Sequence, residues 1–193
     1  GLSAVVYAAL GELRQEVARQ QGLADPDLLI YAFVIDFPLF EAEQKDGRWH
    51  STHHPFTSPL TQDIPLLSSD PGAVTAQAYD MVCNGYEMGG GSIRIHNKEL
   101  QEQIFELLGV QKETMENQFG HLLSALESGA PPHGGIAMGI DRIAMILAGE
   151  DNLREVIAFP KTQGATDLLF GAPSSVEQNQ LDDLHLRVVD SKD

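Results

Sequence analysis

One cysteine, Cys83, is present in 193 residues. That excludes a disulfide framework within the chain and a multi-cysteine zinc site. Positive charge is also scarce. Lys and Arg number 12 against 28 Asp and Glu, for a formal net charge of −16. This balance argues against non-specific binding of nucleic acid or a membrane surface by this segment. It leaves room for a local basic site, so the positions of Arg94, Arg142, Arg154 and Lys161 carry information. No run reaches the roughly eighteen apolar residues of a membrane span. The amino end shows no basic-then-apolar signal pattern, and the expectation is a cytoplasmic protein. There is no Gly-Lys-Ser/Thr of a P-loop. The glycine spacing is also wrong for a dinucleotide-binding fingerprint. No internal repeat or low-complexity segment appears.

What is present reads as strands followed by helices. Leu2 to Gln21 carries Val6, Leu10, Leu13 and Val17 at helical spacing and ends at Gly22. Residues 24–27, Ala-Asp-Pro-Asp, form a turn or linker. Leu28 to Asp36 is a continuous apolar run, which predicts a buried strand broken by Pro38. Asp46-Gly47 signals a hairpin. Leu60 to Gly72 lacks periodicity and reads as a surface loop. Val74 to Val82 and Tyr86 to His96 are strands around Asn84-Gly85, the strongest short hairpin signal. Asn97 caps a helix from Lys98 to Leu108, and a second runs from Lys112 to Ser128. Gly134 to Met138 is a strand, Ile140 to Ala148 a helix and Glu155 to Phe159 a short strand. A last helix lies near Val176 to His185. The order favours an α+β fold with a mainly antiparallel sheet. A start inside a helix, without an initiator methionine, suggests a piece of a longer protein.

Two runs concentrate the chemistry. In the hairpin, Asn84-Gly85 as the central turn sets Val82 opposite Glu87. Asp80 shares the face of Val82 because strand side chains alternate. Asp80 and Glu87 are then diagonal neighbours, roughly 7–8 Å apart by backbone. Such a pair suits a hard cation such as Mg²⁺, which keeps one or two protein carboxylates and takes water and phosphate elsewhere. It also suits two solvent-facing acids at a strand end. Gly89-Gly90-Gly91 favours a bulge or a close backbone approach. One extra residue there would turn Arg94 to the side of Glu87. Its planar fork then suits a carboxylate or phosphate; a surface arginine is the plain alternative. His53-His54 precedes a proline-rich turn without a nearby Cys or third His to complete a zinc set; the pair reads as structural or, in a pocket, as hydrogen-bond donors or a group sensitive near neutral pH beside a charged substrate.

The second run is Gly134-Gly135-Ile136-Ala137-Met138-Gly139-Ile140-Asp141-Arg142. A glycine-spaced strand enters an apolar helix and delivers an arginine in its first turn. Unpaired backbone N–H groups there favour an anion. A helix start with a surface salt bridge is the plain alternative.

Together these stretches resemble the class II aminoacyl-tRNA synthetases, specifically the bacterial-type aspartyl-tRNA synthetases. The carrying segments are Val34 to Phe40, His53 to Thr57, Tyr79 to His96, Gly134 to Arg142, Ile157 to Lys161, Asp167 to Leu169 and Gly171 to Pro173. The resemblance covers nearly everything from about Tyr31 onward. It implies that Gly139, Ile140, Asp141 and Arg142 end the third class II motif, with Arg142 binding ATP. Glu87 would contact ATP and Mg²⁺, with Asp80 as its carboxylate partner. Arg94 would grip the side chain of L-aspartate, with His53 and His54 beside the amino acid.

The implied reaction has two steps. Aspartate attacks the α-phosphorus of ATP to give aspartyl-adenylate, and the aspartyl group passes to the 3′ end of tRNA(Asp), or of tRNA(Asn) too. A partial class II fold is expected. Residues 1–24 would close an inserted domain, and 25–193 would form the carboxyl-terminal half of the catalytic domain of a parental homodimer. The family's anticodon-binding barrel and two earlier motifs are absent from this sequence. The isolated fragment is therefore expected to be inactive. The rivals are a non-catalytic binding or assembly fragment and a tRNA-independent class II paralogue.

Overall fold

The computed structural model describes residues 3–25, 27–42 and 47–189. The chain divides into two compact units, Gly1–Gly139 and Ile140–Asp193, each taken here by itself.

The first unit opens with α1 (Ser3–Gln20), and Gly22 adopts φ +59° just beyond it. Leu2 and Pro26 lie outside the described residues. A four-stranded antiparallel sheet follows, in the order β1 (Tyr31–Val34), β4 (Ala78–Cys83), β5 (Tyr86–Ile93), β6 (Gly134–Met138). A separate hairpin pairs β2 (Phe40–Ala42) with β3 (Trp49–Ser51). That pairing bears out the hairpin, while Asp46 of its expected turn lies outside the described residues. Asn84 and Gly85 take φ +51° and +88°, as the tight turn between β4 and β5 demands.

Two cores support this sheet. One gathers Leu39, Phe40, Leu67, Val74, Ala76, Ala78, Ile95 and Ile104. The other lies between α2 (Lys98–Leu107) and α3 (Lys112–Glu127), where Phe105, Met115 and Leu123 pack with Phe56 and Phe119. Asn97 caps α2 by accepting from the Leu100 N–H at 2.9 Å, an interaction typically worth about 1 kcal/mol.

In the second unit, α4 (Ile140–Ala148) leads to a 3-10 turn (Leu153–Val156) and then to α5 (Gln178–Asp183). This α+β architecture is the one expected.

Several expectations are corrected. The apolar run 28–36 is not a buried strand. Only Tyr31–Val34 pairs, at the sheet edge, and Phe33 is 63% exposed. An apolar sequence reports what could be covered, and nothing among the described residues covers this strand. Residues 60–72 are not a loose loop. They contain 3-10 helices at Thr61–Ser68 and Pro71–Ala73, with Leu67 fully buried in the first core. The strands predicted for 74–82 and 86–96 are shorter: Thr75, Ala76 and Arg94 make only isolated bridges. Glu155 to Phe159 is not a strand. Asn152 accepts from the Arg154 N–H and starts a 3-10 turn, and Phe159 breaks the extended run with φ +52°. The two α1 residues Leu10 and Leu13 are more than half exposed, although the helix itself forms as expected.

Candidate functional site

The site grows from the β4–β5 hairpin. Val82 pairs with Glu87 and Cys83 with Tyr86, the register that the turn imposes. The ladder then slips: Met81 pairs with Gly89 and Asp80 with Gly90, which leaves Met88 as an extra residue. The bulge thus sits at Met88, just ahead of the glycine run in which it was expected. Its consequence is the expected one. Beyond it, Gly90, Ser92 and Arg94 fall on the face of Glu87 rather than the opposite one.

The three glycines have separate roles. A Cβ on Gly90 would lie 2.6 Å from Asp80 Oδ1 and 3.4 Å from Glu87 Oε1. The two carboxylates therefore converge over a bare Cα. On the opposite face, a Cβ on Gly89 would lie 2.6 Å from the carbonyl oxygen of Ala137, and one on Gly91 would strike that of Gly135. These two let the backbone of β6 come close. Gly139, at the end of β6, donates its N–H to Met88 O at 2.8 Å.

The histidines arrive on the segment 53–59, which runs beside the end of β5. Ser58 N–H donates to Ile93 O and Ile95 N–H to Phe56 O, both at 2.9 Å. This lays the Arg94 guanidinium against the His54 ring, with Nη1 3.1 Å from Nδ1. Arg94 Nη1 also donates to Ser92 Oγ at 2.9 Å, and the Thr57 hydroxyl lies 3.4 Å from Ser92 Oγ and 3.3 Å from His54 Nδ1. Thr57 and Ser92 are each only 1% exposed. The turn is braced from behind. Gln101 of α2, also 1% exposed, donates to Pro55 O at 2.8 Å. Phe56 packs edge-on against Phe105 and Phe119. His53 packs edge-on against Phe37, with ring centroids 4.7 Å apart.

Electrostatics divides the site in two. Burial, the nearby Arg94 charge and then His53 hold His54 below the usual imidazole range. Burial and the charge of Glu87 push the Asp80 carboxyl up, partly offset by His53. His53 thus borders both groups. Asp80 and Glu87 form a pair of acids without a third His, Cys, Asp or Glu that would complete a metal-holding trio among the described residues.

The structure therefore brings His53, His54, Asp80, Glu87 and Arg94 together in the first unit. Gly139 closes that unit. Ile140, Asp141 and Arg142 open α4 of the second, with Arg142 in its first turn. The sequence reading missed Thr57, Ser92 and Gln101. Ser92 had a signal, since it stands two residues before Arg94 and shares its face. Gln101 had none, because its partner lies 46 residues away.

Among the described residues, no helix is long and apolar enough to cross a membrane. Residues 12–163 match the family model of tRNA synthetases class II (D, K and N). The chain is 55% identical over its full length to an aspartate–tRNA(Asp/Asn) ligase of Dehalococcoides mccartyi, covering 32% of that protein. It is 53% identical to an aspartate–tRNA ligase of Geobacillus kaustophilus over 96% of the chain, again 32% of the relative. The chain thus spans about a third of the length of these relatives. Among solved structures, it resembles the aspartyl-tRNA synthetase of Entamoeba histolytica with TM-score 0.53 and 22% identity, over 79% of the chain and 26% of that structure. At that identity the likeness concerns the fold. The match to that family model over most of its length settles the membership: the chain belongs to the class II tRNA synthetases of the D, K and N group.

Proposed function

We propose that this chain is the carboxyl-terminal part of an aspartate–tRNA ligase catalytic domain, holding one wall of its aspartate and ATP pocket. The observation that carries the reading is the split site: a guanidinium held by the buried Ser92 hydroxyl and His54, on the same strand face as two converging carboxylates. In this reading Arg94 takes the side-chain carboxylate of L-aspartate, with His53 and His54 flanking the amino acid. Arg94 is aligned before any ligand arrives, because Ser92 and His54 hold it, and such preorganisation favours the bound geometry. Asparagine would leave that guanidinium without its anion, a mismatch that a polar site rejects strongly.

Asp80 and Glu87 would hold Mg²⁺. They fit the ion because burial and their mutual repulsion already disfavour two bare charges. Their number suits a cation that keeps most of its water. When bound, the ion would offset the charge of the ATP phosphates. Glu87 would also contact ATP, together with Gly139, Ile140, Asp141 and Arg142. The guanidinium of Arg142 would reach phosphate oxygens or stack on adenine. Residues 1–24 would end an inserted domain. The parent would act in the cytoplasm, as a homodimer, on tRNA(Asp) or on tRNA(Asn) too.

A chimera tests this. These 193 residues replace the matching segment of the Geobacillus kaustophilus relative. The chimera is expected to catalyse aspartate-dependent exchange of pyrophosphate into ATP, while the isolated chain does not. Arg94→Ala should reduce its preference for aspartate over asparagine by at least about 100-fold. A chimera that folds but gives no exchange, or an Arg94→Ala variant that keeps its preference, overturns the reading.

A further inference from the structure

Helix α2 carries a polar side chain where an apolar one belongs. Gln101, Ile104 and Phe105 share its buried stripe at helical spacing, and each is 1% exposed. Ile104 packs in the first core and Phe105 in the second. A leucine or methionine at 101 would continue that stripe. An amide withdrawn from water costs free energy unless it finds a partner. Here the partner is Pro55 O, 46 residues earlier, at 2.8 Å.

That carbonyl follows directly on His53-His54. Downstream, Ile95 N–H to Phe56 O and Ser58 N–H to Ile93 O tie the segment to the end of β5. Upstream, Thr52 N–H donates to Leu39 O at 3.1 Å. Between these ties, among the described residues, the Gln101 amide is the hydrogen bond that joins the backbone of 53–55 to another element. The shape of this turn orients the His54 ring. Phe56 N–H reaches His54 Nδ1 at 3.2 Å, and the two ring centroids lie 5.9 Å apart. The Arg94 guanidinium rests against the same imidazole. Asn97, three residues past Arg94, caps α2 and so fixes the helix to this strand. Gln101 therefore closes a circuit. It runs from Arg94 through the Asn97 cap to α2, across the amide to Pro55, and back through His54 to Arg94.

We propose that Gln101 is a positioning residue for aspartate binding: acting through Pro55, it sets the His54 ring against the Arg94 guanidinium. The aspartate role rests on the reading of the parent as an aspartate–tRNA ligase. The placement of His54 does not.

The test uses Gln101→Met, which keeps the length of the side chain, suits an apolar stripe and removes only the donor. Gln103→Met is the control. It makes the same chemical change on the same helix, where the amide reaches Ser68 Oγ at 3.3 Å instead. In NMR spectra of the 193-residue chain, Gln101→Met should move the His54 ring protons and the Arg94 Nε–H signal. Gln103→Met should leave both in place. Unmoved His54 signals in Gln101→Met, or equal movement in the control, overturn the proposal. In the chimera described above, Gln101→Met should raise the KM for aspartate about tenfold, with kcat and the KM for ATP within about twofold. Equal increases in both KM values, or a fall in kcat alone, would report general loosening and overturn the proposal. An unaltered chimera without exchange removes the function reading and the aspartate role with it, whereas the NMR comparison still decides whether Gln101 places His54.

Discussion

The two ends of the candidate site in the first unit are built on opposite principles. Around Arg94, polar groups are buried and satisfied: Ser92, Thr57 and His54 all find partners within the protein. Around Asp80 and Glu87, two like charges converge over Gly90, and the Asp80 carboxyl is pushed up as a result. A satisfied network is rigid before any ligand binds. A repelling pair gains most from what it binds. One chain thus holds a finished end and an unfinished end, joined through His53.

The sharpest way to break this contrast is at adjacent glycines. Gly91→Ala sets a Cβ against the backbone carbonyl of Gly135, which cannot swing away. A loss of about 1–3 kcal/mol in urea unfolding is expected. Gly90→Ala meets only the carboxylates of Asp80 and Glu87, the ends of two side chains. It should cost less than about 1 kcal/mol. If the two substitutions cost the same, the separate roles of the glycines fail.

Next in size are substitutions at the two ends. Arg94→Met removes the guanidinium partner of Ser92 and His54 and should lower stability by about 1–2 kcal/mol. Asp80→Asn removes like-charge repulsion, so at neutral pH stability should rise slightly, by less than about 1 kcal/mol. Opposite signs in denaturant titrations sharpen the comparison, and equal signs break it.

The smallest effects concern pH. A raised carboxyl stabilises the folded state only when protonated. The Asp80 contribution is therefore full below the usual carboxylate range and lost as pH rises through its elevated value. The Asp80→Asn gain should accordingly shrink in acid. His54 runs the other way. Its depressed value favours folding above the usual imidazole pKa of about 6.5, and that contribution is lost as pH falls through the lowered value. Ring-proton NMR of His54 follows this directly. Arg94→Met should move the His54 titration upward, because it removes one of the charges that depress it.

Local rules made much of this legible. Asn84-Gly85 placed Val82 opposite Glu87, and Asn97 announced the start of α2. The glycine run required a bulge if Arg94 was to join Glu87. The rest depended on distant contacts. Thr57 reaches Ser92 across 35 residues, and Gln101 reaches Pro55 across 46. A hydroxyl or amide in the sequence carries no mark of such a partner. The apolar stretch at β1 misled for a related reason. Its residues suit burial, but burial requires a neighbour, which periodicity does not reveal.

Met88 gives β5 one more residue than β4 has places to match. Glu87 and Gly90 stand three apart in sequence and nevertheless share a face. In genetic terms, single-codon changes in this strand are therefore unequal. Deleting codon 88 would make the ladder regular and leave Glu87, Gly90 and Arg94 aligned. Adding a codon between positions 88 and 94 would turn the arginine away while leaving every chemical group in the gene product.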